Sequence, residues 1–148
     1  MTEVSRSGER LSAAPGFCIC RTARRIRRHL EGCLAPWGVT PPQWSALRLI
    51  GEGDGGVTQA RLAELLEKDV NNVKTIVDRL EGKGLIERRP DARDARVWRL
   101  ALSKEGGALF AEVSAVDDGF LEGLTDGISA EDLGVFRRVL QRIETNAR

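Results

Sequence analysis

The chain has 148 residues, 41% hydrophobic and 30% charged, with a formal net charge of +1. These values fit one soluble domain with a modest core, and no whole-chain field points at nucleic acid. No apolar run approaches the ~20 residues of a membrane span, and residues 1–16 contain no apolar signal segment. Three cysteines and one histidine make neither a disulfide framework nor a recognisable zinc site. The expectation is a cytoplasmic protein that needs no cofactor or metal.

The charge is unevenly placed. Between Phe17 and Pro36 five arginines face one acid, and between Lys68 and Arg99 nine basic residues face six acidic. From Lys104 to Arg148 the balance reverses, with five basic residues against nine acidic. A near-neutral chain can still present local basic surfaces, and those are what phosphates feel.

Residues 1–16 lack periodicity and read as a flexible arm, leaving 17–148 as a single domain. From Phe17 to about Leu34, the residues Ile19, Ala23, Ile26, Leu30, Cys33 and Leu34 recur at helical spacing, and Ala35-Pro36 ends the helix. Thr40-Pro-Pro-Gln43 opens a second helix as a capping box with proline at its first position, and Trp44, Leu47 and Ile50 follow. Gly51–Gly56 reads as a flexible loop; it lacks the Lys-Ser/Thr that a phosphate-binding loop requires. Thr58 caps a short third helix with Leu62, Leu65 and Leu66 inward. Asp69 caps a fourth helix, and Gly84 ends it. Leu85 to Arg89 and Val97 to Leu102 form two strands, with Trp98, Leu100 and Leu102 on a buried face. Ser103 caps a fifth helix, and Ser129 a sixth that carries Leu133, Phe136, Leu140 and Ile143 on one side.

The order α-α-α-α-β-β-α-α predicts a mainly α fold with a small β-hairpin wing. It is a winged helix-turn-helix unit (40–103) flanked by N-terminal (17–36) and C-terminal (104–148) helices. The fourth helix buries Val70, Val73, Ile76, Val77 and Leu80 at about 100° per residue. Asn71, Asn72, Lys74, Thr75, Asp78 and Arg79 lie on its other side and flanks. Helix-turn-helix proteins read bases from the N-terminal part of this helix, and Asn, Lys and Thr suit base edges and phosphates. Asp78 would repel phosphates, so it is expected to pair with Arg79 or a neighbour. The hairpin tip Asp91-Ala-Arg-Asp-Ala-Arg96 holds two arginines suited to a narrow minor groove, with acids placed to orient them.

Several runs together strongly resemble the MarR family of bacterial transcription regulators. They are Val57-Thr-Gln-Ala-Arg-Leu-Ala-Glu-Leu-Leu66, Val77-Asp-Arg-Leu-Glu81, Gly84-Leu-Ile-Glu-Arg-Arg-Pro90, the wing tip, and Leu102-Ser-Lys-Glu-Gly106. The resemblance extends from about Phe17 to the end. It implies a homodimer held by the N- and C-terminal helices, probing double-stranded DNA at a palindromic operator as a repressor. It also implies release of DNA by a small aromatic or anionic effector, or by cysteine oxidation. By position it assigns Asn71, Asn72, Lys74 and Thr75 to the recognition helix and Arg93 and Arg96 to the wing. The family is Ser/Thr-rich where this chain has Asn71-Asn72, so the operator does not carry over. Two-fold symmetry would set the recognition helices ~34 Å apart.

Two input routes follow. Trp37, Trp44 and His29 are candidate walls of an effector pocket, with Arg25 as the partner of a carboxylate. Cys18 and Cys20, near Arg21 and Arg24 at the start of the first helix, are candidate redox groups, and Cys33 reads as an apolar filler. Organic-hydroperoxide sensors within the family pair such a cysteine with tyrosines, and this chain has none. Two other classes compete: a winged-helix protein-interaction module without DNA binding, and a small thiol enzyme. The enzyme lacks a Cys-x-x-Cys in a βαβ setting and a His/acid constellation, so no catalytic residue is assigned.

Overall fold

The computed structural model describes residues 10–53 and 55–147. Most of the arm, residues 1–9, lies outside the described residues. Helix α1 spans Pro15–Leu34, starting two residues before Phe17, and residues 10–13 are helical as well. Pro15 sits in the first turn of α1, where its missing N–H costs no hydrogen bond. A 3-10 turn, Ala35–Trp37, ends at Gly38 in the left-handed region (φ 64°).

Helix α2 spans Pro41–Glu52 and opens on the expected capping box, with the Thr40 amide donating to Gln43 Oε1 at 3.3 Å. It runs through Gly51, so the glycine loop is shorter than its composition suggests. A Cβ at Gly51 would stand 2.9 Å from the Phe110 ring, so glycine is retained for close packing. Helix α3 spans Gln59–Leu66, capped by Thr58, and helix α4 spans Val70–Gly82, capped by Asp69. The end of α4 is a Schellman motif: Gly84 (φ 70°) donates to Glu81 O and Leu85 donates to Leu80 O.

Strands β1 (Ile86–Pro90) and β2 (Trp98–Leu102) pair antiparallel, each starting one residue later than expected. Ile86 faces Leu102, Arg88 faces Leu100, and Pro90 faces Trp98. Val57 adds a bridge to Leu100 through two backbone hydrogen bonds of 3.1 and 2.8 Å. This third pairing had no sequence signal, because one bridging residue shows no periodicity.

Helix α5 spans Lys104–Leu124. Ser103 Oγ donates to Gly84 O at 2.6 Å and accepts from the Gly106 amide at 2.9 Å, which ties the α5 start to the root of the hairpin. A Cβ at Gly106 would stand 1.8 Å from the Leu85 carbonyl oxygen. The core joins Leu34, Trp44, Leu47, Leu62, Val73, Val77, Leu80, Leu100 and Val113, each at most 2% exposed.

The chain divides after Asp117 into two compact units. The second holds the last turns of α5, a turn with Gly127 at φ 73°, and helix α6 (Ala130–Asn146), capped by Ser129. In this unit Leu121, Leu124, Ile128, Val135, Phe136 and Val139 are exposed.

Three expected core positions are corrected. Leu65, Val70 and Trp98 are exposed at 43%, 59% and 53%. Leu65 lies on the outer flank of a helix whose buried positions are Leu62 and Ala63. Val70 is the first residue of α4, ahead of the turn that packs. Trp98 lies beyond the point where the hairpin leaves the core.

Candidate nucleic-acid interface

Helix α4 presents its polar face from a well-fixed start. The Asp69 carboxylate accepts from the Asn72 amide at 2.9 Å, and its other oxygen accepts from the Asn72 carboxamide. Lys74 Nζ binds Asp78 at 2.6 Å, so the basic neighbour expected for Asp78 is Lys74 rather than Arg79. Thr75 Oγ1 donates back to Asn71 O at 3.1 Å. Three of the four candidate readers therefore hold local partners, while all four stay exposed. Asn72, Thr75, Ile76 and Arg79 also line a cleft of about 330 Å³ with Lys68 and the α2 start at Thr40, Pro42 and Gln43. Gln43 is buried, and Lys83 Nζ reaches its Oε1 at 2.9 Å, bracing the end of α4 against the start of α2.

The wing loop is built by its acids. Asp91 accepts from the amides of Arg93 (2.8 Å) and Asp94 (3.1 Å) and pairs with the Arg99 guanidinium. The Arg99 pairing, then the two amides, hold the Asp91 carboxyl down at about 2. Asp94 accepts from the Arg96 amide at 3.0 Å and from its guanidinium at 3.0 and 3.1 Å, which lowers the Asp94 pKa and raises that of Arg96. Among the described residues Arg93 forms no ion pair, and it is exposed. The loop acids thus position Arg96 and shape the turn from which Arg93 projects.

Sequence reasoning missed the brace between wing and helix. Arg88 of β1 binds Glu81 of α4 through two nitrogens at 3.0 and 3.2 Å, and it touches Gln59 of α3 at 3.4 Å. Such planar bidentate pairing fixes direction as well as distance. The only hint was two opposite charges seven residues apart across a tight helix-to-strand turn.

A family model of the MarR family matches residues 37–97, the stretch from the 3-10 turn through the wing loop. Over that stretch the chain resembles the MarR family. Its fold is mostly helical with the two-stranded hairpin of the MarR winged helix. Among solved structures it is similar to CouR from Rhodococcus jostii RHA1 bound to p-coumaroyl-CoA, at 29% identity and TM-score 0.82. That match covers 90% of this chain and 93% of CouR. A MarR-family transcriptional regulator from Rhodococcus sp. RHA1 matches at 29% identity and TM-score 0.75, covering 90% and 94%. A mutant MarR from E. coli complexed with operator DNA matches at 25% identity and TM-score 0.75, covering 86% and 91%.

The candidate input residues divide into two groups. Arg25 and His29 of α1 line one groove of about 530 Å³ with Arg28, Gly32 and Cys33. Trp44 is core: it is 2% exposed, its ring lies 5.7 Å from Phe110, and its Nε1 donates to Asp117 at 2.8 Å. The buried Asp117 also binds Arg48 at 2.7 Å, so its charge is compensated. Trp37 Nε1 donates to Glu112 at 3.0 Å. Neither tryptophan lines the Arg25–His29 groove.

The cysteines do not gather. Cys18 Sγ donates to Ser12 O at 3.1 Å, Cys20 is exposed, and Cys33 is half-buried. All three are free thiols. Among the described residues no group of three His, Cys, Asp or Glu side chains is placed to hold a metal, and no helix is long and apolar enough to cross a membrane.

Proposed function

We propose that the chain is a cytoplasmic, sequence-specific DNA-binding regulator that acts as a dimer and represses at a palindromic operator. The observation that carries this is the pairing of two surfaces. A capped helix presents Asn71, Asn72, Lys74, Thr75 and Arg79, and a braced wing presents Arg93 and Arg96. The E. coli MarR relative, solved with operator DNA, supports the reading. Dimerisation is supported by exposed apolar side chains on the flanking helices: Val116 and Leu121 on α5, Val135, Phe136 and Val139 on α6. Residues 17–36 and 104–148 then serve as dimerisation segments and 40–103 as the DNA-binding unit. No catalytic role is assigned to any residue.

The effector in this reading is a small aromatic anion. Arg25 and His29 meet it in the α1 groove, and Trp37 and Trp44 act as supports rather than walls. CouR, solved with p-coumaroyl-CoA, makes an aromatic acyl thioester the first compound to try. A cysteine-based input through Cys18 or Cys20 is the second reading, resting on the exposed Cys20 thiol beside Arg24 and Arg27 in one groove.

Selection of bound duplexes from a randomised pool tests the reading. An enriched two-fold symmetric motif, bound by a dimer and released by aromatic acids or their thioesters, is expected. Recovery of no motif would leave the protein-interaction module in its place. Release by peroxide from the native chain but not from Cys18→Ser or Cys20→Ser would move the input to the thiols.

A further inference from the structure

We propose that Trp98 is a DNA contact of the wing, packing its indole against the apolar edge of the deoxyribose backbone beside the groove that the tip arginines reach. This rests on the DNA-binding reading and adds to it a residue that the sequence placed in the core.

The geometry comes from strand alternation. Directly paired residues of an antiparallel ladder share a face, so Ile86–Leu102, Arg88–Leu100 and Pro90–Trp98 lie on one side of the hairpin. Along that face Ile86 and Leu100 are buried at 4% and 1%. Two residues further, roughly 7 Å at the usual strand rise, the same face emerges with Trp98 half in water. The core has run out beneath the indole. On this face Arg88, the partner of Leu100, reaches Glu81 on α4 and Gln59 on α3. Trp98 therefore lies on the face of the hairpin that carries the Arg88 brace, one pair nearer the wing tip.

The surroundings define the occupant. Residues 88–99 hold five arginines and two aspartates. Pro90, opposite Trp98 on this face, is exposed. A partner for this surface needs anionic groups for the arginines and apolar surface for Trp98 and Pro90. The sugar-phosphate backbone supplies both within one repeat, whereas a small inorganic anion supplies only the first. Tryptophan suits such a boundary because it has a large apolar body and a single N–H donor. An indole on a sugar displaces no counterion, and an arginine on a phosphate does. The two kinds of contact therefore separate in the salt dependence.

The experiment titrates the full chain with a selected operator duplex at several salt concentrations, comparing the native protein with Trp98→Ala, Trp98→Phe and Arg93→Ala. Trp98→Ala is expected to weaken binding roughly tenfold at every salt concentration with the log–log slope unchanged. Trp98→Phe should retain most of the affinity, and both variants should melt with the native protein because the indole is outside the core. Native emission should change on adding duplex, and in Trp98→Phe, which keeps Trp37 and Trp44, that change should vanish. Native-like binding by Trp98→Ala while Arg93→Ala is weakened would overturn the Trp98 contact alone. Native-like binding by both variants, or no binding by the native chain, would overturn the wing reading and the Trp98 proposal with it.

Discussion

The recognition helix and the wing carry similar residue types but differ in which side chains their acids leave free. On α4, Asp69 and Asp78 engage the side chains that would read DNA: Asn72 and Lys74. In the wing, Asp91 and Asp94 bind backbone amides and Arg96 and Arg99, and they leave Arg93 projecting. A reading helix whose side chains hold local partners must exchange them on binding, so weak non-cognate contacts are disfavoured. A wing with a preformed loop and an unpaired arginine meets a phosphate or a minor groove without rearrangement. In the proposed reading, helix and wing divide selectivity from anchoring, and the Arg88–Glu81 ion pair ties the two elements together.

The contrast depends on the common root of both elements, and breaking that root has the largest expected effect. Gly106→Ala places a Cβ 1.8 Å from Leu85 O, a backbone atom that cannot turn aside. A loss of about 3 kcal/mol or more is expected in denaturant unfolding, as for severe overpacking. Native-like stability would show that the close approach between α5 and the hairpin root is not as described.

The next effect separates the two wing arginines. Arg93→Ala should weaken operator binding roughly tenfold and lower the salt slope by about one. Arg96→Ala should cost less, because Arg96 is already held by Asp94. Equal losses would erase the distinction between a positioned and a projecting arginine.

A smaller change, of opposite sign, sharpens the helix side. Asp78→Ala releases Lys74 and removes an anion from the polar face. Binding should tighten a few-fold and discrimination between cognate and scrambled duplexes should narrow, both read by titration. Weaker binding would mean that Asp78 aligns Lys74 rather than restraining it.

The smallest effect is in acid. The folded-state pKa of Asp91 is depressed from 3.8 to about 2. Its contribution to the loop is therefore complete above pH 3.8 and lost as pH falls through about 2. Carboxyl titration by NMR should place the Asp91 midpoint near 2, with the Arg93 and Asp94 amide signals moving with it. A midpoint near 3.8 would remove the Arg99 and amide contacts.

Much of this was legible in the chain because local chemistry sets it. Thr58, Asp69, Ser103 and Ser129 each cap where a side-chain oxygen precedes an apolar repeat, and Gly84 ends α4 where only a residue tolerant of positive φ fits. The arginine-rich loop between two short alternating runs marked the wing. Side-chain surroundings beyond one element were not legible. Trp98 continues an alternation that is real, but the core beneath it ends one pair earlier. Trp44, a candidate pocket wall by residue type, is buried and donates its N–H to Asp117, 73 residues away. The Val57 bridge and the Arg88 brace are likewise tertiary facts, set by how the hairpin lies on α3 and α4.

The division of labour between helix and wing is tested most directly by randomised-site selection with the native chain, Asn72→Ala and Arg93→Ala, with affinities measured on the recovered duplexes. The expected result is a symmetric native motif whose central base preferences change with Asn72→Ala. Arg93→Ala should keep those bases while losing affinity and any A/T preference at the flanks. The same motif and affinity from all three proteins, or no motif at all, would contradict it.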